Sequence, residues 1–316
     1  MSSPSLHRSE SATGDPCILC GASTWTPLRE GHDLCRRDGD VTYLLARCVA
    51  CSHVMQQPQP GAEELRDAYS ADYTPYRPGW KKGGLRLWRV LRNVTTWRRI
   101  RRLRNCGRGS DLLEIGCGAG DFLRQAHRLG WNVKAAEYNP ELAALLRREL
   151  NFDVRDGELR SGLWPPASFD VVVMWSVLEH MPDPLHGLTL AAAYLRPGGI
   201  LLIQIPTASG VRAGSIFGEH WVVLDFPRHL NFFSRSSLAD LLSHAGLEPV
   251  LFRTPFLDTA WCYCASAVSL IGKSRGLARL ARAAFFALFL FLSIPAILFR
   301  SWTGKGTEAF AMAVKR

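Results

Sequence analysis

The chain opens without the apolar core of a secretory signal: MSSPSLHRSESATGDP is polar from end to end. Its 9 cysteines are therefore expected in a reducing compartment, which excludes a disulfide framework and leaves packing or metal binding as their uses. No internal repeat or low-complexity tract is present, so solenoid and collagen-like architectures are excluded. Acidic residues are missing from Tyr73 to Ser110, a stretch that carries 12 of the cations in a chain whose net charge is +10. The rest of the molecule is close to neutral. Residues 283–299 form a run of 17 uncharged positions, short of the roughly 20 that a bilayer-spanning helix usually needs. A length of 316 residues allows one large domain with additions, or two domains, and supports a full core.

What is present begins with DLLEIGCGAGDFL at 111–123. Asp111 to Ile115 reads as a short buried strand. Gly116, Gly118 and Gly120 then make a tight turn, and Asp121 opens a helix through Phe122, Leu123 and Ala126. This is the first unit of a Rossmann-like sheet, with ligand expected at the strand's carboxyl end. The dinucleotide fingerprint GxGxxG lacks its last glycine, because Asp121 stands there, and the strand itself carries Glu114. Two carboxylates beside the loop would repel a pyrophosphate on the helix N-terminus. They suit S-adenosylmethionine (SAM), which carries an ammonium and a sulfonium and no phosphate.

The remaining strands follow in order. Val133–Ala136 ends in Glu137, which lies 21 residues after Gly116, near the ~20 expected of an acid that accepts from ribose hydroxyls. A third strand in FDVRDGEL (152–159) leads to Asp156-Gly157, an acid at a turn where an adenine amino group could donate. Val171–Met174 is fully apolar, as in a strand covered on both faces. LRPGGILLIQIP (195–206) gives a glycine turn and a fifth strand, and 247–254 and 308–316 supply a sixth and a seventh.

In EIGCGAG (114–120), Glu137, Asp156-Gly157, SFDVVVMWSVLEHMPDP (168–184) and LRPGG (195–199), the chain resembles class I SAM-dependent methyltransferases. It is most similar to the branch with quinone-biosynthesis and zinc-carrying sugar methyltransferases. The resemblance covers about 109–254 and the last strand and implies an α/β fold, a Rossmann-like seven-stranded sheet within 109–316; an N-terminal zinc ribbon and a hydrophobic helical insert before the last strand are read from the residues themselves. It implies that Glu114 and Gly116, Gly118 and Gly120 hold the methionine end. Glu137 and the neighbouring Tyr138 would take the ribose, Asp156 and Gly157 the adenine, with Trp175 and Ser176 lining the pocket. Glu137 stands where the family more often has aspartate.

Residues 1–60 read as a separate small module. Cys17-x-x-Cys20 and Cys48-x-x-Cys51, with 27 residues between the pairs, offer four thiolates, the soft tetrahedral set favoured by structural zinc. His32, Cys35 and His53 are spare donors. In the connector, 61–108, Leu87, Leu91, Val94, Trp97, Ile100 and Leu103 recur at helical spacing among the arginines. Such a basic amphipathic helix suits an anionic membrane surface or a phosphate backbone; a helix packed on the sheet with solvated arginines is the plainer alternative. The insert at 259–303 holds two uncharged runs joined by Lys273, Arg275, Arg279 and Arg282. A single crossing would strand the last strand outside, and a pair would put the basic joint on the wrong side. A hairpin lying in the interface is expected instead, with a buried hairpin or a dimer contact as the alternative.

On the acceptor side, Ser234–Ser237 cap a helix with Leu238, Leu241, Leu242 and Ala245 on its apolar face. Ahead of it, 219–233 is rich in histidine, aromatic and acidic residues. A hydroxyl or carbon acceptor needs a base, for which His229 comes first, with His180 and His220 as others and Asp225 as an orienting partner. The function expected is methyl transfer to a small-molecule, lipid-linked or glycan acceptor on the cytoplasmic face of a membrane. An RNA base methyltransferase is the rival enzyme, yet no Asn/Asp-Pro-Pro-aromatic signature follows the fourth strand, where Trp175-Ser176-Val177-Leu178 stands. That disfavours a nucleic-acid partner. A non-catalytic zinc-ribbon adaptor is the rival from another class, and the intact loop and acids speak against it.

Overall fold

The computed structural model describes residues 12–34, 41–69, 109–272 and 276–316. Cys35 and the basic helix expected at 85–104 lie outside them. The chain starts with β1 (Ala12–Thr13), β2 (Thr24–Gly31), β3 (Tyr43–Cys48), β4 (Val54–Gln56) and the short helix α1 (Ala62–Ala68). After the glycine-loop strand β5 (Asp111–Ile115) come α2 (Asp121–Arg128), β6 (Asn132–Glu137), α3 (Pro140–Leu150) and β7 (Asp153–Asp156). Next are β8 (Phe169–Trp175), α4 (Pro184–Tyr194), β9 (Leu195–Pro206), α5 (Ala208–Ala213) and β10 (Asn231–Phe232). The chain closes with α6 (Arg235–His244), β11 (Leu247–Arg253), α7 (Phe256–Gly272), α8 (Gly276–Trp302) and β12 (Glu308–Lys315).

The large sheet has 7 strands in the order β11-β12-β9-β8-β5-β6-β7, parallel except for β12, which runs antiparallel to both neighbours. From β5 the chain first fills one side with β6 and β7, then returns to the other side of β5 with β8. The carboxyl ends of β5 and β8 therefore form the switch point where α/β sheets bind ligands. Val171–Met174 are wholly buried, as an apolar strand between two helical layers must be. Helix starts follow the sequence: Asn139 accepts from Glu141 N and Leu142 N ahead of Pro140, and Ser234 forms a reciprocal capping box with Ser237. Arg196–Gly199, expected as a turn before the fifth strand, instead bulges within β9, since Phe169 pairs with Leu195 but Val171 with Ile200. Arg196 anchors the bulge through Asp111 (2.8 Å) and Asp170 (2.7 Å).

The second sheet, β1-β2-β3-β4-β10, is antiparallel and joins the N-terminal segment to a strand from within the large domain. Its last strand belongs to the acceptor-side segment: Asn231 pairs with Met55 and Phe232 with Val54. The cysteine module is thus zipped edge-to-edge onto the large domain, and Asn231 Oδ1 lies 3.3 Å from His53 Nε2 behind that seam. The insert is a helical hairpin. Ala260, Cys262, Tyr263 and Ala267 of α7 pack into a cluster with Phe217 and Trp221, whereas α8 contributes the buried Ile297 and turns an apolar face outward. Phe285, Leu288, Phe291, Leu292, Phe299 and Trp302 are exposed along it. Among the described residues no helix is long and apolar enough to cross a membrane.

Candidate active site

A cavity of about 820 Å³ opens at the switch point, at the large end of the ~300–1,000 Å³ usual for small-molecule sites. One end is made by the glycine loop and Glu137, the other by His180 and His229, with Leu65 and Tyr69 from the α1 region closing a side. There is room for a nucleoside-sized ligand and a second molecule together.

At the first end, Gly116, Gly118 and Gly120 have φ of 70°, 51° and 72°, the left-handed region that favours glycine. A Cβ on Gly116 would come within 2.5 Å of Val177, whereas one on Gly118 would meet no protein atom within 4 Å. The Gly118 backbone is bare toward open space, as a close-approaching ligand requires. Glu137 folds back on the loop, its Oε2 accepting from Gly118 N at 2.7 Å and its Oε1 from Asn139 N at 3.0 Å. Burial pushes its carboxyl above the usual range although these N–H groups oppose the shift. Glu114 is 2% exposed, and its Oε2 has no hydrogen-bond partner. Burial first, then the charges of Glu137 and Asp121, raise its pKa well above the ordinary value. An orphaned acid beside two others fits a ligand cation, such as the ammonium of SAM, and not a phosphate.

Tyr138, Gly157, Trp175 and Ser176 line the cavity. Ser176 does so with φ 53°, a strained backbone for a residue with a Cβ. Asp156 does not line the cavity: it is drawn to Arg147 of α3, with Nη1 2.7 Å from Oδ1, leaving Gly157 and Glu158 at the wall. His220 does not line it either, being buried next to Trp221 with Nε2 3.9 Å from Glu219.

At the second end, Glu179, His180 and His229 bring one oxygen and two ring nitrogens within 4.8 Å of one another. His229 Nδ1 lies 2.8 Å from the Val223 carbonyl, which only accepts, so Nδ1 carries the proton and Nε2 is left as the basic atom. Burial lowers its pKa, with Arg228 adding to the shift while Asp225, the Val223 carbonyl and Glu308 oppose it; the ring is neutral at pH 7. His180 is pushed down to about 3, by burial first and then by His229, and its Nδ1 faces the Arg228 carbonyl at 2.9 Å and the Tyr69 hydroxyl at 2.8 Å. A nitrogen that weakly basic is a poor proton acceptor, so His229 is the better base. Glu179 is fully buried with neither carboxyl oxygen hydrogen-bonded, and burial, with Glu308 and Asp225, raises it well above the ordinary range. As a neutral acid it can donate. Sequence reasoning missed Glu179, which lies inside the SFDVVVMWSVLEHMPDP stretch (168–184) with no pattern of its own to mark it.

The four cysteines converge, and His32 and His53 stay out of the cluster. Cys17 and Cys51 Sγ are 3.5 Å apart and Cys20 and Cys48 Sγ 3.6 Å, near the ~3.8 Å edge of a tetrahedron with Zn–S bonds of ~2.3 Å. The two CxxC turns match: Gly21 N donates to Cys17 O at 2.8 Å and Ser52 N to Cys48 O at 2.9 Å. Backbone N–H groups of Leu19 and Cys20 face Cys17 Sγ, and that of Ala22 faces Cys20 Sγ, as thiolates need.

A family model described as a methyltransferase domain matches residues 88–251. A ubiquinone biosynthesis O-methyltransferase of Cereibacter sphaeroides is 32% identical over 152 residues, or 45% of this chain and 62% of that protein, less than two thirds of its length. Its counterpart in Dinoroseobacter shibae is 32% identical over 186 residues, 55% of this chain and 75% of that one. Among solved structures, a provisionally assigned sarcosine dimethylglycine methyltransferase from Galdieria sulphuraria has the same fold, with a TM-score of 0.50 at 17% identity over 70% of this chain and 86% of that one. The sheet order, the glycine loop with its acids and the matched model together make this chain a member of the class I SAM-dependent methyltransferases.

Proposed function

We propose that this protein methylates a hydroxyl of a small phenolic, quinone-related acceptor at a membrane surface, using SAM, and that its four cysteines hold a structural zinc. The observation that carries the reading is the single cavity joining the acid-flanked glycine loop to the His229–Glu179 pair. The names of the similar proteins supply the acceptor class. SAM, when bound, supplies an activated methyl group. Gly118, Glu114 and Glu137 bind it, Tyr69 and Trp175 exclude water, His229 Nε2 takes the acceptor's proton, and neutral Glu179 donates a hydrogen bond to an acceptor oxygen. Positioning and proton removal are what the protein must provide, since the leaving group is already activated.

Incubation with SAM and 4-octylcatechol should yield a product heavier by one CH2, and His229→Gln should slow it by about 10²–10⁴-fold while leaving SAM affinity within a few-fold. An unmethylated catechol, or a His229→Gln enzyme as fast as the parent, would overturn the assignment.

Membrane contact rests on the outward face of α8. Each large apolar side chain there would gain about 1.5–3 kcal/mol on leaving water. Leu288→Ser, Phe291→Ser and Leu292→Ser together should lower partition onto anionic vesicles by at least about 100-fold, and high salt should release the parent only in part. Full release by salt alone, with nuclease freeing the protein from a pellet, would favour RNA as the partner.

A further inference from the structure

Asp33, just past β2 in the cysteine module, and Arg228, the residue before His229, meet across 195 positions of sequence. Arg228 Nη1 donates to Asp33 Oδ2 at 3.0 Å and Nη2 to Oδ1 at 2.8 Å, with the arginine 1% exposed. Its Nε donates to Asp225 Oδ1 at 3.0 Å, and its other N–H groups reach the Phe226 carbonyl at 2.9 Å and the Ala68 carbonyl at 3.2 Å. Asp225 in turn sets Oδ2 3.9 Å from His229 Nε2, with a backbone φ of 33° that is strained for a side chain bearing a Cβ. A buried guanidinium with its fork filled on both sides has one orientation, and the loop that carries it inherits that orientation.

We propose that Arg228 is a positioning residue: clamped by Asp33 of the cysteine module, it holds Asp225 and thereby fixes His229 at the acceptor end of the cavity. The inference rests on the reading of His229 as proton acceptor. The cysteine module is then a part of the methyl-transfer site and not an appendage.

The charges agree with the geometry. Alone, Arg228 would claim Asp225 for itself. Asp33 neutralises the guanidinium, which leaves the Asp225 charge to act on His229. Burial pushes the Asp225 carboxyl up, but Arg228 and His229 outweigh that and hold it below the usual carboxylate range. The other groups facing His229 are Glu179, kept neutral by burial, His180, too weakly basic to charge, and Glu308 of β12, whose negative field supports the imidazolium. The balance at His229 therefore turns on Asp225 against Arg228. Removing the Asp33 charge should weaken His229 as a base.

The test uses the full chain with isotope-labelled histidine, following each ring by NMR across pH, with His229→Gln to assign the signal. In Asp33→Asn the His229 midpoint should fall by about half a pH unit or more. Turnover of 4-octylcatechol should drop about tenfold in kcat, with SAM affinity by calorimetry within twofold. Asp33→Glu should return the midpoint toward that of the parent. Arg228→Lys keeps the charge but loses the fork, and serves if Asp33→Asn does not fold; its kcat should fall similarly with SAM affinity retained. An unmoved His229 midpoint in the variants, or SAM affinity falling in step with turnover, would reduce the clamp to a fold brace and overturn the proposal. Failure of the parent to methylate the catechol would defeat the acceptor reading alone, because the His229 titration needs no acceptor.

Discussion

Gly118→Val should abolish measurable SAM binding while leaving the protein folded. The position has φ 51°, so a β-branched residue adds backbone strain of order 1–3 kcal/mol, which a domain of this size tolerates. Its Cβ meets no protein atom within 4 Å, and Gly118 lines the cavity, so the side chain takes up ligand space rather than core space. Gly116→Val is the contrasting variant: its Cβ would sit 2.5 Å from Val177, and it should damage the fold itself. Glu137→Ala removes the acceptor for Gly118 N and the candidate ribose partner at once. Charge-assisted hydrogen bonds are worth about 1.5–3 kcal/mol each, so a loss of one to two orders of magnitude in affinity is expected. Calorimetric titration decides it; parent-like binding by both Gly118→Val and Glu137→Ala removes the cofactor assignment.

The same titration has a pH signature from Glu114. Free of ligand, its pKa is pushed well above the ordinary range by burial first and then by the charges of Glu137 and Asp121. A bound ammonium lowers that pKa, so binding releases a proton below the free-state pKa and affinity rises with pH until the group is ionised unaided. For stability the sign is opposite: the raised folded-state pKa means that stability present at low pH is lost as pH climbs through it. Glu114→Gln should flatten both dependences.

How much of this was legible in the sequence differs by element. The centre of the large sheet was legible because Val171–Met174 and Ile200–Ile203 are uninterrupted apolar runs, and both faces of such a strand are buried. The glycine loop was legible for the same reason: only glycine suits φ near 70°, so the turn leaves a mark. The pairing of Asp156 was not legible, because an acid at a strand end can be drawn by a neighbouring helix, and Arg147 on α3 lies within reach. The acceptor side was only half legible. His229 stood out as a residue type in a loop, but its orientation depends on Asp33, and nothing in a linear pattern joins two residues 195 apart. The seam between β4 and β10 was hidden likewise: a two-residue strand, Asn231–Phe232, is too short to carry a period.

Stripping metal from the protein should unfold the cysteine module and silence methyl transfer while SAM still binds. The module's own core is small: Cys17, Trp25, Ala46, Cys48 and Met55 are its buried cluster, and two of the five are candidate ligands. Such a cluster cannot offset the conformational entropy of ordering 12–34 and 41–69, so the remaining stabilisation comes from the large domain, where Leu45 and Val54 join the cluster of Phe217 and Trp221 and Asp33 pairs with Arg228, and from the proposed metal. Zinc held by four thiolates contributes about 10–16 kcal/mol in isolated zinc modules, far more than the seam's two residue pairs can supply. Losing it frees Asp33 and so releases Arg228, which positions His229 through Asp225; the glycine loop, Glu114 and Glu137 belong to the large sheet and stay in place. Elemental analysis should find one zinc per chain. Chelation or Cys48→Ser should expose 12–69 to proteolysis, cut turnover by more than about tenfold, and change SAM affinity by less than about threefold. A metal-free preparation with a protected module and full turnover would show that the four cysteines only pack, and the clamp at Arg228 would then have to be held by the seam and by the packing of Leu45 and Val54 on the large domain.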